Sequence, residues 1–241
     1  MKAFLLAAGH GTRLKPLTDS TPKCLLPIQG EPLLGLWLKL CSFHGITDVL
    51  INTHLHSAAV AEFASKNSYG LKIRITEEEN LLGSAGTLFA NQDWVRKDSE
   101  FWILYADVLT NANLSKMLEY HRSLRHFATM GVYQVANPTE CGIVSVDDTG
   151  MVREFVEKPE NPTSNLAFSG LMVATPQVLE YVPSIAPADI GFHVLPRLVG
   201  KMAAFRIPGY LVDVGTPAKY AHAQQSWPGF IPRMDSRGAQ R

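Results

Sequence analysis

Cysteine, charge of one sign and long apolar runs are all scarce in this chain. Its three cysteines (Cys24, Cys41 and Cys141, in 241 residues) are odd in number and lack metal-type spacing. That excludes a disulfide framework and a thiolate zinc site, and it suits reduced thiols in a cytoplasmic compartment. Lys and Arg number 22 against 22 Asp and Glu, so no basic face points to nucleic acid or to an anionic membrane. The first apolar stretch, Ala3 to Ala8, is too short to cross a bilayer and carries no cleavage pattern. His10, His54, His56 and His193 fall at no ligand spacing, and no Ser-His-Asp or Cys-His arrangement is evident. His193 reads simply as a helix-start residue.

What is present is a strand that empties into a loop built for an anion. After Ala3 to Ala8 comes Gly9-His10-Gly11-Thr12-Arg13-Leu14, with Lys23 following in Pro22-Lys23-Cys24-Leu25-Leu26-Pro27. Glycines let backbone N–H groups approach an anion closely, and successive N–H groups form a concave anion site. Ala8, Gly9, Gly11 and Thr12 are the candidates for that cradle, and Arg13 and Lys23 add the positive charges a triphosphate requires. Two commoner phosphate loops are excluded: a dinucleotide fingerprint needs a third glycine where Leu14 stands, and a P-loop ends in Gly-Lys-Ser/Thr. Cys24 has no evident base beside it and is not read as a nucleophile.

Strand-like and helix-like segments alternate through the first half. Strands are expected at 3–8, 48–53, 72–75 and 101–105, and helices at 33–44, 57–67, 84–92 and 114–125. Such alternation implies βαβ units and an α/β, doubly wound, mostly parallel Rossmann-like sheet. The second half reads as strands at 128–135, 142–146, 152–156 and 166–174, an expected antiparallel insertion or lid over one side of the sheet. Short helices near 176–181 and 193–201, strands at 203–206 and 210–212, and a helix at 217–226 complete the reading. Residues 1–227 form one expected catalytic domain. The aperiodic run that begins at Trp227 predicts a flexible C-terminal tail over 228–241.

The run from Leu6 to Pro27 (Leu-Ala-Ala-Gly-x-Gly-Thr-Arg-Leu-x-Pro-Leu-Thr, then Pro-Lys-x-Leu-Leu-Pro) resembles the signature of sugar-1-phosphate nucleotidylyltransferases, also called nucleotide-sugar pyrophosphorylases. The resemblance implies the nucleotidyltransferase fold and a Mg²⁺ ion held by two aspartates. Here these are Asp107, which closes the strand 101–105, and Asp213, in Asp-Val-Gly-Thr-Pro. Ala106 stands where the family usually has glycine. Read without the resemblance, Asp107 could be a loop acid or cap, and Asp213 could cap the following helix. The same resemblance assigns the sugar phosphate to Gly142, to Glu157 and Lys158 in Glu-Lys-Pro, and to Ser169, which replaces the usual asparagine of Asn-x-Gly. Glu78 and Gly83 match the segment that reads the nucleobase. A carboxylate only accepts hydrogen bonds, so Glu78 favours the donor edge of guanine, where relatives that read uracil or thymine often carry glutamine.

The implied reaction joins an NTP and a sugar 1-phosphate to give an NDP-sugar and pyrophosphate, with GTP and mannose 1-phosphate or a related sugar phosphate as first choice. Short bacterial mannose-1-phosphate guanylyltransferase-like enzymes are the nearest pattern. An attacking phosphate oxygen is already anionic, so no general base is needed; Arg13, Lys23 and the two acids supply positioning and electrostatics. Alternatives are a UTP- or dTTP-using sugar-1-phosphate nucleotidylyltransferase, a choline-phosphate cytidylyltransferase, and a catalytically silent nucleotide-sugar sensor. Expected partners are the NTP and the sugar phosphate, with neither nucleic acid nor membrane; a homo-oligomer is compatible.

Overall fold

Strands whose residues are apolar on both faces build the centre of the molecule, as buried parallel strands must be. The computed structural model describes residues 1–230. In chain order the regular elements are β1 (Lys2–Leu6), β2 (Pro27–Ile28), β3 (Glu31–Pro32), α1 (Leu33–Phe43), β4 (Asp48–Thr53), α2 (Ser57–Lys66), β5 (Lys72–Glu77), α3 (Gly83–Ala90), β6 (Phe101–Tyr105), β7 (Val108–Thr110) and α4 (Leu114–Ser123). They continue with β8 (Ala128–Gln134), β9 (Gly142–Val146), β10 (Val152–Glu157), β11 (Leu166–Ala174), β12 (Met202–Arg206), β13 (Leu211–Asp213) and α5 (Pro217–Ser226).

The main sheet runs β10-β9-β11-β6-β1-β4-β5, with β8 paired to β11 and β12 to β8. β6, β1, β4 and β5 are mutually parallel. Alternate residues of each strand feed opposite faces: Ala3 and Leu5 join the core under α1, α2, α4 and α5, while Phe4 joins the core under α3 and residues 176–198. Burying each such side chain contributes about 1.5–3 kcal/mol. The doubly wound, mostly parallel sheet is therefore present.

Three details depart from expectation. The antiparallel strands are not a layer over the sheet; they extend it, because β11 pairs antiparallel with β6 through Leu171 to Ala174 and with β8 on its other edge. β9 meets β11 only at Ala167, so β11 splits between two neighbours at Gly170, whose φ of 79° suits glycine. The expected helix over 193–201 is instead a π-turn at Ile190–Val194 and a 3₁₀ turn at Leu195–Leu198. Pro196 lacks the N–H that a continuous helix would use.

Finally, the chain does not fray at Trp227. That residue is 7% exposed, stacks edge-on against Tyr210 and Phe230, and its carbonyl accepts from Gln29 Nε2 at 3.0 Å. An aromatic with a face to cover needs no helical period to dock. The rest of the expected tail, 231–241, lies outside the described residues. No helix among the described residues is long and apolar enough to cross a membrane.

Candidate active site

The carboxyl ends of parallel strands face the ligand crevice in sheets of this kind, and here β1 and β6 end at one cavity of about 450 Å³. Its floor is the loop after β1. Gly11 adopts φ 64°, and a β-carbon there would stand 2.9 Å from Thr18 Cγ2, so the turn needs glycine. Thr18 Oγ1 donates to the Gly11 carbonyl at 2.8 Å and Leu14 N does so at 2.9 Å, while the Leu14 side chain is wholly buried. The loop is thus pinned from beneath while Ala8, Gly9, Gly11, Thr12 and Arg13 line the cavity above. Lys23, Glu78, Gly83 and Asp107 line it too.

Asp107 follows β6 directly. Asp213 arrives from far along the chain because β13 pairs antiparallel with β7, Asp213 opposite Val108, and Val214 N donates to the Asp107 carbonyl at 2.8 Å. Both acids converge on one ammonium: Lys23 Nζ is 2.7 Å from Asp107 Oδ2 and 4.0 Å from Asp213 Oδ1. Lys219 Nζ, from α5, stands 3.4 Å from the second Asp213 oxygen. Neither acid is a helix cap; Thr216 Oγ1 caps α5 by accepting from Lys219 N. Two carboxylates gathered around one positive charge beside the glycine loop are the protein's usual share of a Mg²⁺ site, which substrate phosphates and water complete, so the residues present fit that ion. Arg13 is exposed and makes no ion pair among the described residues. Gly215 lets it approach: a β-carbon there would be 3.0 Å from an Arg13 guanidinium nitrogen and 2.9 Å from Asp213 Oδ1.

The residues expected to hold the sugar phosphate sit where β10 ends and β9 begins, with Glu157 paired to Gly142. A β-carbon on Gly142 would lie 2.6 Å from Glu157 Oε2, so glycine is what admits that carboxylate. Burial and the nearby Asp189 charge raise the Glu157 carboxyl above its ordinary value, against the lowering effect of Lys158. Lys158 adopts φ 49°, its amide donates to the Cys141 carbonyl at 3.0 Å, and its exposed ammonium has no ion pair among the described residues. Ser169 does not present its hydroxyl here. It is 2% exposed, its Oγ accepts from Leu171 N at 3.2 Å, and it packs against Gly131. The strand irregularity at Gly170 turns it into the sheet, so the asparagine contact is not replaced by this residue.

Glu78 lines the cavity but is far from a free acceptor. It is 4% exposed; Oε1 accepts from Asn52 Nδ2 at 2.8 Å and Thr87 Oγ1 at 2.5 Å, and Oε2 accepts from Leu82 N at 3.0 Å. Three of roughly four acceptor positions are taken. Cys24 also reaches the cavity wall, but burial pushes its thiol up to about 12, which leaves no thiolate for chemistry.

A family model described as Nucleotidyl transferase matches residues 2–228. The chain belongs to that family. Among relatives of this nucleotidyl transferase are "Probable mannose-1-phosphate guanylyltransferase 2" of Oryza sativa subsp. japonica, 32% identical over 91% of the chain, and the "Mannose-1-phosphate guanylyltransferase" of Mycobacterium tuberculosis, 32% identical over 90%. The chain spans 63% and 62% of the length of those two proteins. A solved structure described as a putative glucose-1-phosphate thymidylyltransferase from Bacillus anthracis, in complex with a sucrose, superposes with a TM-score of 0.84 at 25% identity; the match covers 93% of this chain and 94% of that one.

Asn52, Tyr105 and Asp189 are additions to the sequence reading of this nucleotidyl transferase. Asn52 Oδ1 accepts from Ala7 N at 2.7 Å while its amide donates to Glu78, so it joins the end of β1 to the segment before α3. A polar residue at the end of the apolar run Val49-Leu50-Ile51 was the available signal. Tyr105 and Ser84 line the cavity, and Asp189 bonds Ser84. Burial, Asp189, Glu157 and Asp107 together hold the Tyr105 hydroxyl well above its ordinary value, against a hydrogen bond from Ser84. Asp189 lies in an aperiodic stretch and had no sequence signal.

Proposed function

We propose that this chain is a sugar-1-phosphate nucleotidylyltransferase that condenses GTP with mannose 1-phosphate, or a closely related hexose phosphate, to give a GDP-sugar and pyrophosphate. One observation carries the reading: Lys23 holds Asp107 and Asp213, from distant parts of the chain, at the mouth of the glycine loop that presents Arg13. The mannose-1-phosphate guanylyltransferases among its relatives support the choice of base and sugar.

In this mechanism the triphosphate lies along the loop amides of residues 8–12, with Arg13 on its β- and γ-phosphates and Lys23 beside the α-phosphate. Asp107 and Asp213 would hold Mg²⁺, which supplies positive charge to the phosphates when bound. Gly83 gives the base room to lie against backbone. The remaining acceptor position of Glu78 has no donor among the described residues and is available to the guanine N–H edge. Lys158 pairs with the phosphate of the sugar substrate, and Glu157 accepts from its hydroxyls. An oxygen of that phosphate bonds to the α-phosphorus as the bond to the β-phosphate oxygen breaks. Pyrophosphate leaves without any proton transfer, so the chemistry calls for no histidine base, and His10, which lines the cavity, is given no part in it. The three cysteines are all free, as a cytosolic enzyme's would be.

A pyrophosphate-release assay across four NTPs and several sugar 1-phosphates tests the proposal. Turnover is expected with GTP and mannose 1-phosphate and to vanish in EDTA. A preference for UTP or dTTP would replace the guanine assignment, a preference for CTP with choline phosphate would replace the sugar, and thermal stabilisation by NTP without any product would indicate a silent sensor.

A further inference from the structure

Asp189 connects the two halves of this site. Its Oδ1 accepts from Gly191 N at 2.7 Å and Phe192 N at 3.2 Å, and its Oδ2 accepts from Ser84 Oγ at 2.8 Å. Ser84 Oγ in turn accepts from Ile190 N at 2.7 Å. The neighbouring Ala188 carbonyl accepts from Ala85 N at 2.9 Å and Gly86 N at 3.2 Å, while Ala188 N donates to the Leu82 carbonyl at 2.8 Å. The first turn of α3, which walls the cavity, and Leu82 before it are therefore bound to the segment 188–192 by five hydrogen bonds of one continuous network.

The same segment abuts the sugar side. A β-carbon on Gly191 would overlap the Glu157 carboxylate and stand 3.1 Å from Asp189 Oδ1. Gly142 faces that carboxylate from β9. The Glu157 carboxylate has no hydrogen bond among the described residues, so two glycines and the charges around it determine its place. We propose that Asp189 is a positioning residue: it fixes the 188–192 segment to α3 and thereby sets the place of the Glu157 carboxylate, so that nucleotide and sugar phosphate meet one shared wall. The inference rests on the sugar-phosphate reading of Glu157.

A capping role alone would not need a carboxylate. Asparagine caps a turn about as well as aspartate, yet only an aspartate presses like charge on Glu157. The groups whose charge couples to Glu157 are Asp189 from the segment, Lys158 on its own strand end, Tyr105 from β6 and Cys141 ahead of β9. Of these, Asp189 is the acid that raises the Glu157 carboxyl, second only to burial. Removing that charge lowers the Glu157 midpoint.

Asp189→Asn keeps an acceptor for the Gly191 and Phe192 amides and removes the charge. The acid limb of kcat/KM for the sugar phosphate should move to lower pH, and KM for the sugar phosphate should change about tenfold, as coupled neighbours do, with a smaller rise in KM for the NTP from the altered Ser84 contact. The change should vanish in a Glu157→Gln background. Independently of turnover, the carbon-13 carboxyl titration of Glu157, assigned through Glu157→Gln, should shift to lower pH in Asp189→Asn. Unmoved titration and unmoved sugar-phosphate KM, with only a lower Tm, would overturn the proposal. Absence of turnover by the wild-type chain would overturn the sugar-phosphate reading instead, while the titration still decides the part played by Asp189.

Discussion

Three donors converge on the Glu78 carboxylate; deleting it leaves the Leu82 amide without its acceptor and takes from Asn52 and Thr87 one of their two. Glu78→Ala is expected to destabilise the fold by about 3 kcal/mol, a fall in Tm of roughly 6–12 °C, read by thermal denaturation. Glycines are equally exacting here. Gly83 has φ 74°, and a β-carbon there would run into the Ala188 carbonyl; Gly83→Ala should cost on the order of 1–3 kcal/mol and raise KM for the NTP. Gly215→Ala would crowd Arg13 and Asp213 together and should lower kcat with little change in Tm, a split that paired kinetic and melting measurements resolve. Cys24 and Cys41, with thiols pushed up to about 12, should resist alkylation in the native protein and react fully once unfolded, as mass spectrometry would show. Much of this scale was legible in sequence: the loop glycines, Arg13, Lys23 and Asp107 line one cavity as their spacing implies. Ser169 was not, because whether a hydroxyl faces a pocket or a neighbouring strand depends on the irregularity at Gly170, which no residue pattern announces.

At the scale of elements, apolar periodicity located β4, β6, β9, β11 and α5 to the residue, since each is bounded by a turn former or a cap that acts locally. It could not say which strands pair. Whether residues 128–174 cover a sheet or continue it depends on β11 finding the free edge of β6, a contact more than sixty residues apart in the chain. The docking of Trp227 was missed for the same reason. Trp227→Ala should cost about 3–5 kcal/mol and loosen α5, which carries Lys219 beside Asp213; a protease-protection assay on residues near 217–230 would register it.

For the molecule as a whole, the proposed reaction makes stability depend on ligand. Mg-GTP at about a hundred times its Kd should stabilise the fold by about 2.7 kcal/mol, raising Tm by roughly 5–10 °C. Lys23→Ala, which removes a preorganised cation, should cost about a hundredfold in kcat. Both effects can be measured on one preparation by calorimetry and pyrophosphate release.

Lys23 also bears on the order in which ligands enter. An acid pair already engaged by its own internal counter-ion is a poor trap for a bare dication, because the ammonium must first be displaced. A polyphosphate receives that displaced ammonium and so lowers the barrier to exchange. Dication and nucleotide are therefore expected to be mutually dependent guests, each tightening the other by the same factor, and titrating magnesium alone should yield little heat until nucleotide is added.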